Sequence, residues 1–156
     1  MLLSKYMEIF ENSSDYFWDD TTIRTGKSFN GSSDNKLSVY CPDKIRQTDL
    51  SYVIFDGVYE NCIIKNVVIA HAECVNCIIQ NCAICYSNII DCKVESLIIS
   101  HNSSFIDSDI TGGLIRNCYE MKRCDLNKVY FNSERDCDEF EPKSRIMVED
   151  ILTIYD

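Results

Sequence analysis

Between Asn61 and Cys85 the chain contains no glycine, no proline and no long polar loop, and all 156 residues together hold five glycines and two prolines. That stretch therefore lacks the mobile knuckles on which cysteine-rich metal sites are usually wrapped around an ion. Basic residues are also scarce, 15 against 25 acidic ones, for a formal charge of −10. Each phosphate contact needs a Lys or Arg, so direct binding to DNA, RNA or an anionic membrane is not expected. The acidic surplus suits a protein partner with a basic surface. Long apolar runs are missing too. In MLLSKYMEIFENSS, the charges of Lys5, Glu8 and Glu11 break up the apolar residues, leaving neither a signal-peptide core nor a membrane span. The expectation is a cytoplasmic chain whose ten cysteines stay reduced and whose Asn12, Asn30 and Asn102 sequons carry no glycan.

What is present is a period. Stepping by five from Cys62 gives Cys62, Val67, Ala72, Cys77, Cys82, Ser87, Cys92 and Leu97, a row of mostly small side chains. Two residues further on, the same step gives Ile64, Ile69, Cys74, Ile79, Ile84, Ile89, Val94 and Ile99. None of these positions is charged in a chain with 26% charged residues, so all are suited to burial. With single-residue slips the phase extends upstream through Thr48/Leu50, Val53/Phe55 and Gly57/Tyr59. Downstream, a slip at Ser100–Asn102 leads to Ser103/Phe105, Ser108/Ile110 and Gly113/Ile115. A second slip near Cys118 leads to Tyr119/Met121, Cys124/Leu126 and Val129/Phe131.

A step of five matches neither the 3.6 of a helix nor the 2 of a strand. It describes a chain extended for three residues and turned over two, with two side chains inward per unit. Asn61, Asn66, Asn76, Asn81 and Asp91 recur at the corners, where Asn and Asp tolerate bent backbone. Stacked coils then pair edge to edge, and the inward rows form ladders in a narrow core where one row must be small. That requirement accounts for the sulfur.

The grammar of TDLSY and VIFDG resembles the pentapeptide-repeat family, and the resemblance spans residues 48–133. It implies an all-β solenoid, a right-handed quadrilateral parallel β-helix with about four units per coil. The domains expected are a capping segment over 1–47, the β-helix over 48–133, and an acidic linker with a helix over 134–156. A competing frame comes from NCIIKN, NCIIQN and DCKVES, which start at 61, 76 and 91, a spacing of fifteen. Three units per coil would give a triangular solenoid, as in some ice-binding proteins, but the regular Thr-x-Thr ladders of those proteins are lacking.

The chemical candidates read as structure. In Cys74-Val-Asn-Cys77 and Cys82-Ala-Ile-Cys85, the first three cysteines fall on the inward phase and Cys85 points out, so no metal site is expected. His71 and His101 fall on corners. Arg24-Thr25-Gly26-Lys27-Ser28 ends like a phosphate-binding loop, yet Thr21 stands where the motif needs its first glycine. No catalytic residue, cofactor or metal is assigned.

The flanks read as helices. Leu2, Leu3, Tyr6, Met7 and Phe10 line one, and Ser144 starts another through Ile146, Met147, Val148, Ile151, Leu152 and Tyr155. The second is expected to cap the last coil or to join two copies in a homodimer. With four units per coil, Val58, Ile78 and Ile98 would stack in an outward stripe, with Ile63 and Ala83 adjoining. The run SERDCDEFEP, with Asp136, Asp138 and Glu139, offers negative charge to a basic partner.

The function expected is therefore a non-catalytic, protein-binding rod. The resemblance implies a narrower version, since rods of the quinolone-resistance type are similar to duplex DNA in width and charge and occupy the DNA groove of gyrase-type topoisomerases. Residues 48–132 carry ten acidic and six basic residues, mixed rather than arrayed. The second expectation is a structural or adaptor scaffold assembling through the C-terminal helix and the aliphatic stripe.

Overall fold

The computed structural model describes residues 23–30, 40–41, 44–45, 53–55, 57–131, 137–142 and 147–148. Its repeating element is a three-residue strand followed by a two-residue corner, and the first corner residue is left-handed. Asn61, Asn66, His71, Asn76, Asn81, Tyr86, Asp91 and Ser96 have φ between 51° and 57°, five residues apart. Left-handed backbone costs most L-residues about 1–2 kcal/mol, and Asn and Asp least because their side chains bond locally. Their recurrence here is thus a backbone requirement.

Strands pair in parallel with the strand one turn away, and the register fixes the turn. Ile63 lies beside Ile78 and Ile78 beside Lys93, fifteen residues apart. From there the spacing becomes sixteen, Lys93 beside Asp109 and Asp109 beside Asp125. Each turn thus gives one strand to each of three faces. The first holds Val58–Glu60, Glu73–Val75, Asn88–Ile90 and Ser104–Ile106. The second holds Ile63–Lys65, Ile78–Gln80, Lys93–Glu95 and Asp109–Thr111. The third holds Val68–Ala70, Ala83–Cys85, Ile99–His101 and Leu114–Arg116. The ten-residue strand Cys118–Asn127 runs across the corner between the first two faces and joins them into one sheet.

The expected all-β parallel solenoid is therefore present, but its coil has three sides rather than four. A five-residue unit places one corner per five residues in either shape. How far each corner bends the chain decides whether three or four units close a turn, and it bends far enough here for three.

All sixteen residues of the two central rows are buried. Inside, three bulky ladders meet: Tyr59, Cys74, Ile89, Phe105 and Met121 on the first face; Ile64, Ile79, Val94, Ile110 and Leu126 on the second; and Ile69, Ile84, Ser100 and Ile115 on the third. Ser100 corrects the expected slip. The extra residue is Ile98, so Ile99 turns to the outer side and Ser100 takes the inward place between Ile84 and Ile115. Its hydroxyl is buried with no hydrogen-bond partner among the described residues. Likewise, the inward small residue near the second slip is Cys118, while Tyr119 is 55% exposed.

The small row shows why sulfur and hydroxyl recur. Cys92 Sγ accepts a hydrogen bond from the Cys77 N–H at 3.3 Å and donates to the Ile90 carbonyl at 3.2 Å. Ser87 Oγ does the same for the Ala72 N–H at 3.1 Å and the Cys85 carbonyl at 2.8 Å. Ser108 Oγ repeats it with the Cys92 N–H and the Ile106 carbonyl. The N–H of the second corner residue has no backbone partner, and buried backbone polar groups need one; the carbonyl already accepts a backbone N–H from the turn before and takes the side-chain donor as a second bond. A small side chain with one donor and an acceptor bridges both.

Ile23–Thr25 and Ser28–Asn30 already form a rung beside Val58–Glu60 and Ile63–Lys65, with Gly26 as its corner. The RTGKS stretch is thus a corner of the solenoid. This rung closes one end of the core: the Arg24 guanidinium lies 5.5 Å from the Tyr59 ring centre, and Phe29 meets Tyr59 edge-on at 5.4 Å. At the other end Cys137–Pro142, expected as linker, is a strand parallel to Cys118–Asn127, and Met147–Val148 pairs beside Tyr130–Phe131. Ile146, Ile151 and Leu152, and the helix expected over residues 2–10, lie outside the described residues.

Gly112 and Gly113 test the corner logic. Both have positive φ, but a Cβ at Gly113 would lie 2.2 Å from the Leu97 carbonyl oxygen, whereas at Gly112 the nearest atom is 3.7 Å away. Gly112→Ala should lower unfolding stability by about 1–2 kcal/mol, the left-handed cost alone. Gly113→Ala should cost more, about 3 kcal/mol or above, because backbone must move. Urea denaturation of the two variants checks this, and equal losses would contradict it.

Candidate interaction faces

Along a strand, side chains alternate, so the two outer residues of each three-residue strand face away from the core. On the third face these outward residues are buried too: Val68, Ala70, Ala83, Cys85, Ile99, His101 and Leu114. That corrects the expectation of an exposed Cys85, whose thiol is fully covered. His101 is corrected as well. It ends a strand rather than occupying a corner and is only 8% exposed, while His71 is a corner residue as expected. The His71 ring stacks on Tyr86 at 5.0 Å and 6°, and Tyr86 meets His101 edge-on at 5.9 Å.

The first two faces are open. Because the turn is fifteen or sixteen residues, the expected stripe of Val58, Ile78 and Ile98 does not form. Val58 lies beside Glu73, Ile78 lies beside Ile63, and Ile98 is the inserted residue of its corner. Two other columns replace it. Ile63 and Ile78, 39% and 40% exposed, stack on the second face above Lys93, Asp109 and Asp125. On the first face Glu60, Val75, Ile90, Ile106 and Lys122 form one half-exposed column. A fifteen-residue frame makes Glu60, Val75 and Ile90 readable from sequence, whereas Ile106 and Lys122 follow only once each turn has lengthened to sixteen.

A shallow groove of about 460 Å³ runs along the corner between these faces. Its rim carries Asn61, Asn76, Asp91 and Asp107, its floor Cys62, Cys77 and Cys92, and its far wall Ile63, Ile78, Lys93 and Asp109. Asn76 Nδ2 donates to Asn61 Oδ1, and at the next corner Asn81 Nδ2 donates to Asn66 Oδ1 at 2.7 Å. Asp107 receives both Nε and Nη2 of Arg123, at 2.6 and 3.1 Å. On the second face Gln80 donates to Glu95 at 2.6 Å and Lys93 pairs with it at 3.1 Å; the Gln80 bond first, then Lys93, holds the Glu95 carboxyl below its usual value. Such exposed pairs contribute little to stability and mainly order the surface.

Asp138 and Glu139 fall in the strand Cys137–Pro142, with Glu139 beside Glu120. Asp136 lies outside the described residues. The cysteines at positions 62, 74, 77, 82, 85, 92, 118 and 124 are buried free thiols. Burial pushes the Cys82 thiol up to about 12. Cys74 is raised by its hydrogen bond with Cys77 and by burial, and Cys92 likewise, whereas those same bonds pull Cys77 well below the ordinary thiol value. Among the described residues, no three of His, Cys, Asp or Glu gather where they could hold a metal ion.

No protein-family model matches the chain, and no curated protein matches it.

Burial, with Arg116 adding a smaller effect, lowers the pKa of His101 below 6.5. A group depressed in the folded state contributes stability above its unfolded value and loses it as the pH falls through the folded one. Thermal melts should therefore show a falling midpoint as the pH drops from about 6.5, and His101→Gln should flatten that slope. An identical acid slope in the variant would remove His101 as its source.

Proposed function

We propose that the protein is a non-catalytic rod that binds another protein through its first two faces. The observation that carries this reading is the allocation of side chains. Eight thiols, at positions 62, 74, 77, 82, 85, 92, 118 and 124, are buried in the core, at the corners or on the covered third face. The open faces present aliphatic columns, Ile63/Ile78 and Val75/Ile90/Ile106, beside the carboxylates Asp91, Asp107, Asp109 and Asp125. Flat apolar strips flanked by charge suit recognition of a protein that supplies apolar anchors and a basic rim.

The five-residue grammar supports placing the chain beside the pentapeptide-repeat proteins. Three units per turn set it apart from the four-sided rod on which duplex mimicry rests, and the described acidic residues are spread over the first face (Glu60, Glu73, Glu120, Glu139), the corner (Asp91, Asp107) and the second face (Glu95, Asp109, Asp125). The reading favoured is thus protein recognition without imitation of DNA. The expected outcome in a gyrase supercoiling assay is unchanged activity over a wide titration, and inhibition would restore the DNA-acting enzyme as target.

A second reading, a self-assembling scaffold, is favoured by one arrangement. The column Glu60, Val75, Ile90, Ile106, Lys122 carries opposite charges at its two ends. An antiparallel copy would set Ile90 against Ile90 and Glu60 against Lys122, as an isologous interface requires. Lys122 also pairs with Glu120 of its own chain at 2.9 Å.

An Ile78→Arg/Ile90→Arg variant separates these readings. Both residues face outward, so circular dichroism should be unchanged. Partner affinity in a binding titration after affinity capture should fall by about tenfold or more, as for residues at the centre of an interface. Unchanged affinity would remove these faces from the binding site. Light scattering that shows a wild-type dimer and a variant monomer would favour the scaffold.

A further inference from the structure

Four thiols gather at the groove corner. Cys62, Cys77 and Cys92 hold the same place in three successive turns, and Cys74 faces the core beside them. The Cys92 sulfur packs against the turn before it. It accepts from the Cys77 N–H at 3.3 Å, and its single S–H is shared between the Ile90 carbonyl at 3.2 Å and the Cys74 carbonyl at 3.3 Å. Cys77 Sγ reaches one turn further back in the same way, to the Tyr59 carbonyl at 3.2 Å. Residues in register on neighbouring strands lie roughly 4.7–4.9 Å apart, within the Cα separation of about 4.4–6.8 Å that a disulfide bridges. Cys62, Cys77 and Cys92 line the open groove, and Cys77 and Cys92 keep slight exposure, 2% and 4%, while Cys74, Cys82 and Cys85 have none.

We propose that Cys77 and Cys92 form a peroxide-sensitive pair that closes a disulfide between adjacent turns. In the first step the Cys77 sulfur attacks one oxygen of a hydroperoxide and the O–O bond breaks. Cys77 becomes a sulfenic acid, and the departing oxygen leaves as water or an alcohol after taking the thiol proton. In the second step the Cys92 sulfur attacks the Cys77 sulfur, the S–O bond breaks, and hydroxide leaves as water with the Cys92 proton. Two thiols lose two electrons in all, and the peroxide gains them. Cys77 is assigned as the attacking sulfur because it lines the open groove between Cys62 and Cys92, and the neighbouring Cys74 and Cys92 thiols lower its pKa, which favours the nucleophilic thiolate. Cys82, fully buried in the neighbouring column, is the internal control. This inference rests on the stacking of the turns and is independent of the partner-binding reading.

The test uses the full chain treated with hydrogen peroxide, then alkylated in denaturant and weighed by mass spectrometry. Expected is the loss of two alkylation sites. Cleavage beside Glu73, Asp91 and Glu95 should yield fragment 92–95 joined to fragment 74–91, and sequencing of the joined pair by tandem mass spectrometry should place the bond at Cys77 rather than at Cys74, Cys82 or Cys85. In Cys92→Ser, peroxide should leave a sulfenic acid on Cys77 that dimedone traps, and in Cys77→Ser no cross-link should form. Serine occupies this same column at Ser108, and circular dichroism of both variants checks their fold. A full complement of thiols at peroxide levels that oxidise glutathione in the same tube would overturn the proposal. A bridge to Cys62, Cys74, Cys82 or Cys85, or a dimedone adduct on Cys62 in Cys92→Ser, would do so too.

Discussion

The fold depends on one constraint, the satisfaction of backbone groups at a corner that recurs every five residues. A left-handed residue turns the chain, and the residue after it supplies a small side chain that hydrogen-bonds both the neighbouring turn and the strand just left. Unpaired buried N–H and carbonyl groups are costly, so any residue at this place that neither bonds nor leaves room weakens two turns together. Where the row carries Val67, Ala72 or Leu97, no such bond is available from the side chain, and these residues serve the core through packing alone. The Asn side chains one position earlier add ladders of their own along the outside of the rod.

This constraint explains why cysteine recurs at the corners. Cysteine is small, packs as an apolar residue and still has a weak donor and a weak acceptor. It thus meets the demands of core and corner at once. Serine does the same in the later turns, at positions 87, 103 and 108, where its hydroxyl makes shorter bonds. Stacking the same residue type in successive turns has a second effect. It brings sulfurs into contact along a column, which is where their mutual hydrogen bonds move their ionisation in opposite directions.

Much of this was legible in the sequence, and the errors share one cause. The inward rows, the Asn and Asp corners and the structural reading of the CxxC pairs all follow from the five-residue step. The outward stripe failed because its residues were chosen twenty apart, so Val58, Ile78 and Ile98 fell on unrelated columns. Cys85 was placed outside on the same alternation that serves the open faces, and His101 was placed at a corner. Strand alternation only says that a side chain leaves the core. It does not say whether that side of the sheet is covered, and the third face is. Ile99 and Ser100 show a finer limit. Both suit an inward place by size, and an apolar preference favours Ile99, yet the register set by neighbouring strands puts Ser100 inside.

The sequence by itself determined the unit: three extended residues, a bent polar one and a small one, repeated with two insertions. Those are local matters of side-chain size and backbone tolerance, and they are written residue by residue. Only the tertiary structure decided that three units close a turn, which columns exist on the outer faces and which face is buried. These depend on how sharply successive corners bend and on which strands meet across a turn, contacts between residues fifteen or sixteen apart that no single unit contains.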